Sequence, residues 1–139
     1  MNRKTIAIVL GIIIGGLFVA LGDSLSSYLF PLEKPYPTDR ALIAEFIETE
    51  VPLGSKLVIV INWVFSAFIA AVVSTFISGR TSLKPMIATI FVLNVLALIK
   101  LMLDYYPNWM TIACLFAFIP TGFVAYFLIH KKKTDEAVG

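Results

Sequence analysis

Four apolar runs, residues 5–21, 57–78, 85–103 and 109–129, occupy more than half of a chain of 139 residues. About 17–25 apolar residues, rising 1.5 Å each, are what a helix needs to cross roughly 30 Å of hydrocarbon. Each run meets that length, and little chain is left for anything else. The sequence therefore predicts an all-α fold: an integral membrane four-helix up-down bundle. It forms one transmembrane domain over 1–139, with helices near 5–22, 57–78, 85–103 and 109–129.

Composition agrees: 59% of residues are hydrophobic and 14% charged, against about 45–50% and 25% in soluble domains. The longest polar stretch, 23–56, is too short for an independent domain. The single cysteine, Cys114, lies within the fourth run. It forms no intrachain disulfide and reads as a small packing residue. Asn2-Arg3-Lys4 before an apolar stretch opens like a signal peptide. The run exceeds a usual signal core, however, and Ala20-Leu21-Gly22 is a poor cleavage site, so an uncleaved first helix is expected.

Positive charge orients the chain. Arg3, Lys4, Arg80, Lys84, Lys131, Lys132 and Lys133 flank one set of span ends, while the opposite set has Lys34, Arg40 and Lys56, with Lys100 just inside a span. Lysine and arginine favour the cytoplasmic side. Both termini and the 79–84 turn are thus expected in the cytoplasm, with the 23–56 loop and the 104–108 turn outside. Asp23, Glu33, Asp39, Glu45, Glu48, Glu50 and Asp104 make the outer face anionic.

Within the long outer loop, Pro31, Pro35 and Pro37 impose extended backbone. Thr38 then stands as a helix cap with Asp39 in the first turn. Leu42, Ile43, Phe46 and Ile47 recur at helical spacing, opposite Asp39, Glu45 and Glu48. A short amphipathic helix is expected over 38–50, ended by Pro52 and Gly54 and lying on the bundle. Tyr28, Tyr105, Tyr106 and Trp109 mark the outer boundary, and Tyr126 the inner one, as amphipathic rings prefer. The basic tail after His130 suits anionic headgroups, with no role as a nucleic-acid patch.

The first span carries Gly11, Gly15 and Gly16 in a GxxxG spacing, which lets a neighbouring backbone approach closely. Small residues Ser66, Ala67, Ala70, Ala71 and Ser74 in the second span make it the natural partner. The same stripe could otherwise form a homodimer face. Polar residues inside a membrane cost free energy unless paired or wet, so function would show itself there. Asp23, Asn62, Lys100 and Asp104 all fall in the outer third of the bundle, Lys100 and Asp104 being one turn apart on one helix face. This cluster could bind an anionic headgroup or solute or act in a proton-coupled step, or it could be a structural clamp in which Lys100 reaches the boundary and pairs with Asp104. Asn94, about 13 Å along the third span from Pro85, reads as an interhelical hydrogen bond. Pro120, followed by Thr121 and Gly122, bends the fourth span.

Several chemistries lack their residues. One histidine and one cysteine cannot assemble a metal site, and a lone histidine provides no bis-histidine haem ligation. A phosphate-binding glycine loop, a Ser-His-Asp arrangement and a CxxC pair are missing from the sequence. The size matches the small multidrug-resistance transporters, but those carry a membrane-embedded glutamate in the first span, which here is apolar as far as Asp23. No catalytic residue, metal or cofactor is expected, and the chain reads as no enzyme.

The chain resembles a broad group of small bacterial inner-membrane proteins of four helices without an assigned activity. The resemblance rests on the acidic end of the first helix (Asp23) and Tyr28-Leu-Phe-Pro31. It continues in Val51-Pro-Leu-Gly54, Gly79-Arg80, Pro107-x-Trp109 and Phe118-Ile-Pro120. Where that group often carries a histidine after the acidic residue, Ser26 and Ser27 stand here, and Lys100 replaces a neutral polar residue. The resemblance implies the fold and a bacterial inner membrane. Two functions fit: a structural or accessory protein binding lipid, a membrane-protein partner or a second copy, and a small transporter or channel using the Lys, Asp and Asn cluster.

Overall fold

The computed structural model describes residues 2–80 and 82–139, and all regular structure among them is helical. The helices are α1 (Arg3–Leu29), α2 (Arg40–Thr49), α3 (Leu53–Ile77), α4 (Lys84–Leu103) and α5 (Asn108–Val138). Four of them, α1, α3, α4 and α5, are long and apolar enough to cross a membrane, which points to an integral membrane protein.

Helix α3 is the hub, packing on α1, α4 and α5, while α4 also touches α1 and α5. Its small-residue stripe explains why. Ser66, Ala67, Ala70, Ala71 and Ser74 are all buried, and Gly11 and Gly15 of α1 lie against them. A Cβ added at Gly11 would sit 2.9 Å from Thr89 Cγ2 and 3.1 Å from the Ala70 carbonyl. One at Gly15 would sit 2.9 Å from Ala70 Cβ. Neighbouring backbones this close leave no room for a side chain. Gly16 differs, because a Cβ there would meet nothing within 4 Å.

The helices outrun the apolar runs. Helix α1 continues through the serines after Asp23 because their hydroxyls return to the chain: Ser24 Oγ donates to the Ala20 carbonyl and Ser27 Oγ to that of Asp23, each at 3.0 Å. Asp23 therefore lies within the helix. Helix α3 begins at Leu53, directly after Pro52, so Gly54 and Lys56 belong to its first turn. Gly54 stops no helix; a Cβ there would sit 2.8 Å from the Phe30 ring, which its absence admits. Helix α5 runs on through His130 and the three lysines to Val138, since no glycine or proline follows Gly122 before Gly139. At Pro120, Thr121 Oγ1 donates to the Ala117 carbonyl at 2.6 Å, and the helix persists.

Helix α2 begins one residue later than its sequence pattern indicates, at Arg40. Asp39, in extended backbone, accepts from the Ala41 amide at 3.0 Å and is the cap in place of Thr38. Ile47 is its buried residue. The buried Lys56 donates to the Glu48 carbonyl at 3.3 Å, tying the last turn of α2 to α3. Opposite this end, Gly79 (φ 93°) and Arg80 (φ 62°) turn the chain out of α3. Arg80 tolerates its left-handed backbone within several contacts. Its guanidinium covers the Phe76 ring at 4.6 Å and pairs with Glu136 at 3.6 Å.

Candidate functional site

The polar residues converge at the end of the bundle that carries α2. Lys100, one turn before the end of α4, places Nζ 2.6 Å from Asp104 Oδ2 and 3.3 Å from Asp23 Oδ2 of α1. Trp63 of α3 donates Nε1–H to Asp23 Oδ1 at 3.2 Å, and Nζ lies 5.8 Å from the centre of the same indole. One ammonium thus joins α1, α3 and α4. An ammonium between two carboxylates leaves an excess of one negative charge, and the indole face adds a cation–π contact.

Above this group lies a cavity of about 240 Å³ lined by Asp23, Ser26, Ser55, Tyr36, Lys100 and Tyr106. Its serines satisfy one another, Ser26 Oγ standing 2.8 Å from Ser55 Oγ. Burial, helped by the Tyr36 phenol, pushes Tyr106 up to about 12, with Asp23 and Asp104 adding to the shift and Lys100 opposing it. Burial also raises Tyr36, the Asp104 carboxylate acting in the same direction and Lys100 against it. Both phenols favour their neutral form beside an anionic group.

Of the residues singled out in the sequence, Asp23, Lys100 and Asp104 come together. Asn62 does not join them. Its Nδ2 donates to the Phe18 and Val19 carbonyls of α1 at 3.0 and 3.4 Å, and its amide occupies the space where Gly22 has no side chain. Asn62 is thus a second polar tie between α1 and α3. The residue that completes the cluster is its neighbour Trp63. One position along a helix is a rotation of about 100°, enough to carry the indole to Asp23 while Asn62 faces the α1 backbone. Ser26 with Ser55, and Lys56 on Glu48, are further polar ties that hydropathy does not display.

Asn94 stands apart, midway along α4. It is 8% exposed, and its Oδ1 is buried without a hydrogen-bond partner among the described residues. It lines an apolar groove of about 380 Å³ between α4 and α5. A smaller space of about 110 Å³ beneath Lys100 is bordered by Gly16, Leu93, Ala97 and Phe118. Among the described residues no group of three or more His, Cys, Asp or Glu converges as a metal site. No family model, curated protein or solved structure matches the chain.

Proposed function

We propose that the chain is a structural or accessory protein of the bacterial inner membrane that binds a membrane partner or lipid and catalyses no reaction. In this reading α1, α3, α4 and α5 span the bilayer in up-down order, with both termini cytoplasmic and α2 resting on the outer surface. The opposed pairing of Gly11 with Ser74 and of Gly22 with Asn62 supports antiparallel α1 and α3. The large apolar side chains exposed along the spans, among them Leu17, Ile61, Phe91 and Phe116, suit contact with acyl chains. Arg3, Lys4, Lys84 and the three lysines after His130 favour the cytoplasm for their end.

The observation that carries the accessory reading is the internal neutralisation of Lys100. Its partners are carboxylates of its own chain, and beneath it the space is bordered by Leu93, Ala97 and Phe118. A cation held this way locks helices together instead of offering itself to a solute. Native mass spectrometry of the protein gently extracted from its membrane tests the reading. A heteromeric mass, or a mass retaining lipid or a second copy, supports it. Solute flux in liposomes that Lys100→Met abolishes would replace it with the transporter reading.

A further inference from the structure

The cavity above Lys100 and the crevice beneath it are two parts of one groove, since Lys100 borders both. On α1, Gly16 and Val19 line the crevice while Asp23 and Ser26 line the cavity, at spacings of three, four and three residues. That is one helix face over about three turns. On α4, Leu93 and Ala97 lead to Lys100 at spacings of four and three. The groove changes character along its length. Its mid-span part is apolar and opens sideways, because Gly16 and Leu96 there are exposed. Its other end gathers hydroxyls and a carboxylate, from Ser27, Ser55, Tyr36, Tyr106 and Asp23. A polar pocket above an apolar slot is the pattern of a lipid, headgroup at one end and alkyl chain toward the midplane.

Resting on the membrane-spanning, lipid-binding reading, we infer that this groove holds one outer-leaflet phospholipid whose headgroup ends in a primary ammonium, of the ethanolamine type. The alkyl chain lies along Gly16, Leu93 and Ala97, the ammonium bonds to Asp23, and the phosphate accepts from the Tyr36 and Tyr106 hydroxyls. Three arguments favour this occupant. Asp23 and Asp104 around the single charge of Lys100 leave one negative charge, which attracts a cationic headgroup end and repels an anionic lipid. Each Asp23 oxygen already has one partner, Trp63 or Lys100, but a carboxylate offers about four acceptor sites. The remaining ones suit an ammonium that carries N–H groups and not a trimethylated one. Finally, Gly16 has no packing reason within the chain. Gly11 and Gly15 admit neighbouring helices, whereas a Cβ at Gly16 would meet nothing within 4 Å. Its bare backbone widens the mouth of the slot.

The test uses the full chain in liposomes. Flotation resistant to alkaline extraction comes first; protein that fails it overturns the membrane reading and this one together. Protein that floats is moved to nanodiscs of ethanolamine, choline and glycerol phospholipids, in equal parts with matched chains, and released for native mass spectrometry. One ethanolamine lipid per chain is expected to be retained about 10- to 100-fold over the glycerol lipid, the scale of one charge-assisted hydrogen bond. Over the choline lipid the expected preference is about 2- to 10-fold, the scale of a neutral one. Gly16→Leu, which fills the slot, should lower that retention about 10-fold or more. Tyr36→Phe keeps its ring 5.0 Å from Phe46 and should lower it about 2- to 10-fold; it carries the test alone if Gly16→Leu fails to fold. Phe116→Leu, exposed on α5 away from the groove, should change nothing. Lipids retained in bulk proportion, enrichment of the glycerol lipid, or retention indifferent to the groove variants overturns the lipid site. A heteromeric mass from the native membrane would then still support the accessory reading.

Discussion

Lys100 holds two carboxylates and an indole with one ammonium, and its loss leaves Asp23 and Asp104 without their counter-charge. Lys100→Met is expected to lower stability by about 1–3 kcal/mol, the scale of charge-assisted bonds lost at a partly buried site. Adding Asp23→Asn and Asp104→Asn should recover most of it. Denaturant titration in detergent checks this; a single variant as stable as the parent would remove the clamp from the account. Trp63→Phe keeps the ring but deletes the donor to Asp23, and should cost about 1 kcal/mol. Tyr106 gives a pH prediction at the same scale. Burial raises its phenol from 10.0 to about 12, so the folded chain keeps that proton where the unfolded chain has lost it. The stabilisation is complete below pH 10 and disappears as pH rises toward about 12. Tyrosinate absorbance should show a late-titrating phenol that Tyr106→Phe removes; an unchanged titration would contradict the burial.

Glycines separate the helices by what they admit. Gly22 makes room for the Asn62 amide, and a methyl there would displace it. Gly22→Ala should destabilise by about 1–3 kcal/mol, and Asn62→Ala in the same chain should relieve much of that loss. Gly16→Ala, with open space around it, should leave stability within about 1 kcal/mol of the parent. Thermal melts of the three variants order them, and equal effects at Gly16 and Gly22 would contradict the packing. Helix α2 depends on different ties: the Asp39 cap, the buried Ile47 and the Lys56 bond to Glu48. Lys56→Met should loosen α2, read as faster proteolysis within 40–49 with the spans intact. Unchanged cleavage would make that bond incidental.

Hydropathy displays where the four long helices are, because apolar runs of that length have few other folds open to them. It under-measures their ends. Ser24 and Ser27 look like loop but bond back to carbonyls four residues earlier, and the lysines after His130 look like tail but meet no helix breaker. Charge spacing brought Lys100, Asp104 and Asp23 into view. The indole of Trp63 stayed hidden, since a tryptophan in an apolar run carries the same signal whether it faces lipid or donates to a carboxylate. Asn62 shows the converse: polarity marks a tie without showing where it points. Substituted-cysteine accessibility in intact cells tests the whole arrangement most directly, with Cys114→Ala as background and a membrane-impermeant maleimide as label. Glu33→Cys is expected to label from outside, while Lys84→Cys and Lys132→Cys label only after the membrane is opened. Labelling of Lys84→Cys from outside, or of Glu33→Cys only after opening, would contradict a four-span bundle with both termini in the cytoplasm.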